Sequence, residues 1–80
     1  MNLFTIDIKN QTSELIKKNC TVGKAFVYID NWCKENNAYY NIEDMWLDTN
    51  GAGTRAKINV KCIYNDTKSK IANIFEIKYE

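Results

Sequence analysis

Thr54-Arg55-Ala56-Lys57-Ile58-Asn59-Val60-Lys61-Cys62-Ile63-Tyr64 alternates small or apolar side chains with polar ones along nearly its whole length. A period of two marks an extended chain, because successive side chains of a strand leave on opposite sides. Ala56, Ile58, Val60, Cys62 and Tyr64 therefore share a face fit for a core, while Arg55, Lys57, Asn59 and Lys61 share a wet one. Asn50-Gly51-Ala52-Gly53 stands just upstream as a turn in which glycine supplies positive φ angles, so the segment before it should return as the hairpin partner.

That segment, residues 38–49, has strand-forming residues at both ends and an acidic pair between them. Strict alternation turns Tyr40, Ile42 and Trp46 inward but carries Asp44 in with them. A bulge near Glu43-Asp44 relieves the conflict by resetting which side faces the core. Downstream, Asn65-Asp66-Thr67-Lys68 reads as the next turn, and Ile71 to Tyr79 as a last strand with Ile71, Phe75, Ile77 and Tyr79 inward. Upstream, residues 2–9 alternate with Phe4, Ile6 and Ile8 on one side and Thr5, Asp7 and Lys9 on the other, a first strand. After a break at Asn10-Gln11-Thr12, Ser13 followed by Glu14-Leu15-Ile16-Lys17-Lys18 suits a capped helical turn.

From Thr21 the period changes. Val22, Ala25, Phe26, Ile29, Trp32 and Cys33 recur at three and four, which sets them on one stripe of an α-helix. Thr21 is a fair N-cap and Asn36-Asn37 a fair stop. Gly23 and the strand-formers Phe26-Val27-Tyr28-Ile29 oppose the helix, but a stripe held over about three turns outweighs local propensity. The expected fold is α+β and two-layered: an antiparallel sheet of about four strands, in the order β-α-β-β-β, packed on one main helix. Residues 1–80 form a single domain with no repeat, linker or proline.

Composition bounds the function. With 45% apolar and 26% charged residues the chain has the profile of a folding globular domain rather than of disorder. No apolar run is long enough for a transmembrane helix, and the amino terminus lacks a basic start followed by an apolar stretch, so a cytoplasmic location with no membrane partner is expected. Cys20, Cys33 and Cys62 are odd in number and too far apart for a metal clamp or a redox pair, which suits a reducing compartment. The chain has no histidine, which removes the commonest general base and metal ligand. Cys20, beside Lys17 and Lys18 and just before the helix, is the nearest thing to an activated nucleophile, and it lacks a defined pocket. No enzyme activity, metal or cofactor is expected.

Charge is unevenly spread. Residues 30–50 hold Asp30, Glu35, Glu43, Asp44 and Asp48 against Lys34 alone, whereas the strand at 54–64 carries Arg55, Lys57 and Lys61. Two partner classes follow. Glu43, Asp44, Trp46 and Asp48, with Met45 and Leu47 beside them, make an apolar cluster in an acidic setting, the composition of a contact site for a protein with a basic surface. Arg55, Lys57 and Lys61 make a basic ladder suited to nucleic-acid phosphates, although a net charge of +1 is small for a dedicated binder. Acidic and basic strands lying side by side would instead neutralise each other across the sheet. A free edge strand also allows pairing of two copies.

No motif identifies a family. In style, the tiny domain, abundant asparagine and lysine and block-wise charge resemble the small inhibitors and adaptors that phages and mobile elements encode, including anti-defence proteins. The leading expectation is therefore a non-enzymatic protein-binding inhibitor or modulator, with nucleic-acid binding as the alternative.

Overall fold

A computed structural model of the protein describes residues 1–50, 53–67 and 70–79; the side chains of residues 48–50, 53 and 54 lie outside the described residues. The elements are β1 (Asn2–Asp7), β2 (Thr12–Lys17), α1 (Val22–Glu35), β3 (Ala38–Asn50), β4 (Gly53–Tyr64) and β5 (Ile71–Tyr79). The strands form one antiparallel sheet in the order β2-β1-β5-β4-β3, with α1 across one face. The α+β two-layer expectation therefore holds, but the sheet has five strands and the chain order is β-β-α-β-β-β.

The extra strand is β2, where a helical turn was expected from Ser13. Asp7 makes the hairpin. Its carboxylate accepts hydrogen bonds from the backbone N–H of Lys9 and Asn10 and, at 2.8 Å, from the Asn10 side-chain amide, and Gln11 takes the left-handed conformation at φ 54°. Leu15 lies opposite Phe4, and Ile16 is the extra residue where the register shifts, packed against the core. With a single apolar residue on the outer side and a bulge beside it, this edge strand shows no period of two.

The core is small: Leu3, Ala25, Ile29, Cys33, Ile58, Val60, Cys62, Phe75 and Ile77. Ile58, Val60 and Cys62 face the helix as their alternation requires. The helix runs as its stripe dictates, with Thr21 Oγ1 accepting from the Lys24 N–H at 3.1 Å as N-cap, and with Asn36 donating from its backbone and its side chain to the carbonyl of Trp32. Phe75 is held edge-on between Tyr28 and Trp32, ring centroids 6.0 and 5.6 Å away. Cys33 donates a thiol hydrogen bond to Cys62 at 3.6 Å between sulfurs, a van der Waals separation and no disulfide. Burial pushes both thiols up.

Register corrects two face assignments. β1 buries Leu3, opposite Ile77, and sends Phe4 and Ile6 to the open face of the sheet. Leu3 and Phe4 are adjacent and both apolar, so only the pairing with β5 decides which goes in. In β5 Phe75 and Ile77 are buried as expected, but a register shift between Cys62 and Ile63 puts Ile71 opposite Ile63, on the open side. The turn expected at 50–53 includes residues 51 and 52, and the next one Lys68, all outside the described residues. Around the first, β3 and β4 pair as far as Asn50 and Gly53.

Lengths position the site. Thirteen extended residues of β3 span about 44 Å, whereas fourteen helical residues of α1 span about 21 Å. The molecule measures 46 × 23 × 19 Å, and helix cover on β3 reaches Ala38 and Tyr40 but not the residues beyond. The far half of the β3–β4 hairpin, flanked by β5 as far as Ala56, is an arm of the sheet whose β3 edge the helix leaves uncovered.

Candidate functional site

The arm owes its surface to one residue. Up to Ile42, opposite Val60, β3 turns its even-numbered side chains toward the helix side; Asp44 then pairs with Asn59, so Glu43 is the extra residue of a bulge. Beyond it the faces are exchanged. Asp44 and Trp46 lie opposite Asn59 and Lys57 on the open face, while Met45 and Leu47 lie opposite Ile58 and Ala56 on the helix side. The bulge anticipated near Glu43-Asp44 is present, and it keeps Asp44 out of the core.

Trp46 leaves the core with it, which corrects the inward placement that strict alternation gives. It is 42% exposed, and its neighbours Met45 and Leu47 are 63% and 69% exposed. Ile42 is on the helix side but 49% exposed, because the helix does not reach it. Three consecutive large apolar side chains thus meet solvent on both faces of the arm, a patch of the kind that marks interaction surfaces.

The acidic and basic candidates occupy two rails of the same face. Glu43 joins Asp44 there through the bulge and grips Lys61 at 2.8 Å. Asp48 is paired by register with Arg55, its side chain outside the described residues. Lys57 reaches Glu76 on β5 at 3.2 Å, and Lys78 reaches the same carboxylate at 2.8 Å. Burial pushes the Glu76 carboxyl up, but the hydrogen bonds and charges of Lys78 and Lys57 outweigh that and hold it below its ordinary value. Lys57 and Lys61 of the predicted basic ladder are therefore held by carboxylates. Asp44 makes no hydrogen bond or ion pair among the described residues and keeps its charge toward solvent.

Elsewhere the open face is apolar, with Phe4 and Ile6 of β1, Leu15 of β2, Ile63 of β4 and Ile74 of β5 on that side. The sequence hides part of this patch, because Phe4 and Ile6 read there as core positions and Leu15 as part of a helical turn. The Lys78 ammonium stands 5.6 Å from the Phe4 ring centroid and covers part of it. Among the described residues no group of three or more cysteines and carboxylates is placed to hold a metal ion. Cys20 is half-buried against the core, its backbone tied to Met1 by two hydrogen bonds. No helix of the described residues is long and apolar enough to cross a membrane. No protein-family model, curated protein or solved structure matches the chain.

Proposed function

We propose that the protein is a small non-enzymatic inhibitor or modulator that binds another protein through the β3–β4 arm, with Glu43, Asp44, Trp46 and Asp48 as its contact group and Met45 and Leu47 alongside. The observation that carries this is the exposure of Met45, Trp46 and Leu47 on an edge strand that the helix leaves uncovered. A domain with so small a core gains about 25 cal/mol for each Å² of apolar surface it buries, so large apolar side chains held in water are most useful where a partner covers them. Three unpaired cysteines accord with work in a reducing cytoplasm. Small size, block-wise charge and the lack of a histidine-based site are what it shares in style with phage and mobile-element inhibitors, including anti-defence proteins.

The test is capture from lysate with the folded chain as bait. A partner retained in stoichiometric amount should be lost with Trp46→Ala and with the charge reversals Asp44→Lys and Asp48→Lys, circular dichroism remaining unchanged. Equal capture by all variants removes the arm from consideration. Nucleic-acid binding by Arg55, Lys57 and Lys61 has less behind it, because Lys57 and Lys61 already hold carboxylates. Were it correct, the log-log salt slope on duplex DNA would flatten by about 0.9 for each phosphate-binding lysine replaced.

A further inference from the structure

β3 is the last strand of the sheet and hydrogen-bonds to β4 on one side only. Every second residue of such a strand turns its N–H and C=O away from the sheet, a template for one more strand. Natural edges are commonly guarded by being short or by carrying lysine. β2, the opposite edge, has both guards: six residues, ending in Lys17. β3 has thirteen residues and neither lysine nor arginine among them. It is guarded instead by acidic side chains, which bar a like strand but not a basic one, and by the bulge at Glu43, which interrupts the ladder and leaves Asp44–Asn50 as a regular stretch beyond it.

We infer that the arm binds its partner by strand addition: an extended, basic segment of another protein pairs with the free edge of β3 from Asp44 to Asn50. This rests on the reading of the arm as a protein-binding site and names the chemistry of the partner. The unpaired backbone specifies an extended chain. Side-chain positions along the edge specify its pattern. Asp44 lies on the open face and the next acidic position, 48, follows it four residues along the strand, so lysine or arginine is wanted across from both. Met45 and Leu47 share the helix side, so apolar side chains are wanted there. A second copy of β3 does not fit, because antiparallel self-pairing sets this acidic strand against itself, and like charges across a ladder are destabilising.

The probe is a synthetic peptide, acetyl-Thr-Lys-Val-Thr-Val-Lys-Thr-amide, whose pattern meets those positions when it is added antiparallel to β3, the direction that every strand pair of this sheet takes and the one proposed for the partner. Binding is followed by tryptophan fluorescence and by amide exchange in NMR. Two further peptides carry N-methyl groups on alternate amides, one set each, with charge and side chains kept. In an added strand only one set of N–H groups faces the edge. One methylated peptide should therefore lose at least tenfold in affinity, the other should bind within about threefold of the parent, and alternate amides of residues 44–50 should exchange more slowly in the complex. Asp44→Lys should weaken the parent peptide. No binding at 1 mM peptide, equal binding of both methylated peptides, or concentration-dependent dimerisation in place of peptide binding each overturns strand addition. If capture from lysate still depends on Trp46 while the peptide fails, the arm remains the site and only the mode of pairing is wrong.

Discussion

Deleting Glu43 should leave the fold standing, an outcome that only the bulge permits. Removing one residue from an unbulged strand shifts everything on one side of the cut and exchanges its two faces. In β3 that would pull Ala38 and Tyr40 off the core and offer Tyr39 and Asn41 in their place. Tyr40 packs against the core, its ring 5.7 Å from that of Phe26. Losing its burial costs about 2 kcal/mol, losing the ring pair costs about 1 kcal/mol, and turning the Asn41 amide toward Val60 adds about 1–3 kcal/mol. That exceeds about 3 kcal/mol, a large share of the roughly 4–12 kcal/mol available to a chain of this length. In the structure, however, Ile42 already pairs with Val60 and Asp44 with Asn59, so the deletion closes the ladder without moving a single partner. It removes the half-exposed Lys61–Glu43 pair, worth about 0.2–1 kcal/mol, and restores regular pairing worth about as much. The net change expected from urea unfolding, followed by tryptophan fluorescence and far-UV circular dichroism, is within about 1 kcal/mol at an unchanged m-value. Deletion of Asn59, from a strand paired on both sides, should by contrast unfold the domain. A loss above about 3 kcal/mol on removing Glu43, or a lower m-value, would refute the bulge and with it the outward placement of Asp44 and Trp46.

Other outcomes follow from the same packing. Gly23→Ala should stabilise the protein by about 0.5–1 kcal/mol, since the new methyl carbon meets nothing nearer than Thr21 Oγ1 at 3.9 Å; a fall in Tm would contradict the helical conformation at that position. Glu76, whose folded pKa lies below its ordinary 4.5, contributes stability that is fully present above that value and is lost as pH falls through the folded pKa. Acid titration of Glu76→Gln should accordingly show a shallower loss of stability below about pH 5 than the parent, and identical profiles would mean that Lys57 and Lys78 do not hold the carboxylate. Under native conditions a thiol reagent should modify Cys20 alone, with Cys33 and Cys62 reacting only at the rate of unfolding because burial removes both access and thiolate; rapid labelling of all three would show an open core.

Much of the architecture is legible in the chain because it is local. The alternation at 54–64 is a property of neighbouring side chains, as are the stripe from Val22 to Cys33 with its Thr21 cap and the misplaced acid at 44 that calls for a bulge. Of the residues proposed as one group, Glu43, Asp44 and Trp46 reach one face through that same bulge. What local pattern cannot carry is competition between two apolar faces. Leu3 and Phe4 are both fit for a core, and pairing with β5 chose Leu3. β2 has no period to read, because its Leu15 and Ile16 sit at a bulge on an edge, and only Ile16 is packed against a core drawn from segments far along the chain.

The exposure of the arm belongs to the same class. Alternation states which side of a strand Ile42, Met45 and Leu47 take, but not how far the helix extends over that side. Sequence alone determined the helix with its Thr21 cap, the four strands other than β2, and the sign of the charge on each rail of the hairpin. Tertiary structure decided that a helix of about 21 Å covers a hairpin of about 44 Å, and that Lys57, Lys61 and Lys78 meet carboxylates across the strands. Cover and charge pairing are relations between segments distant in sequence, set by register and by the length of the covering element. The apolar end of β3 is bare for that reason.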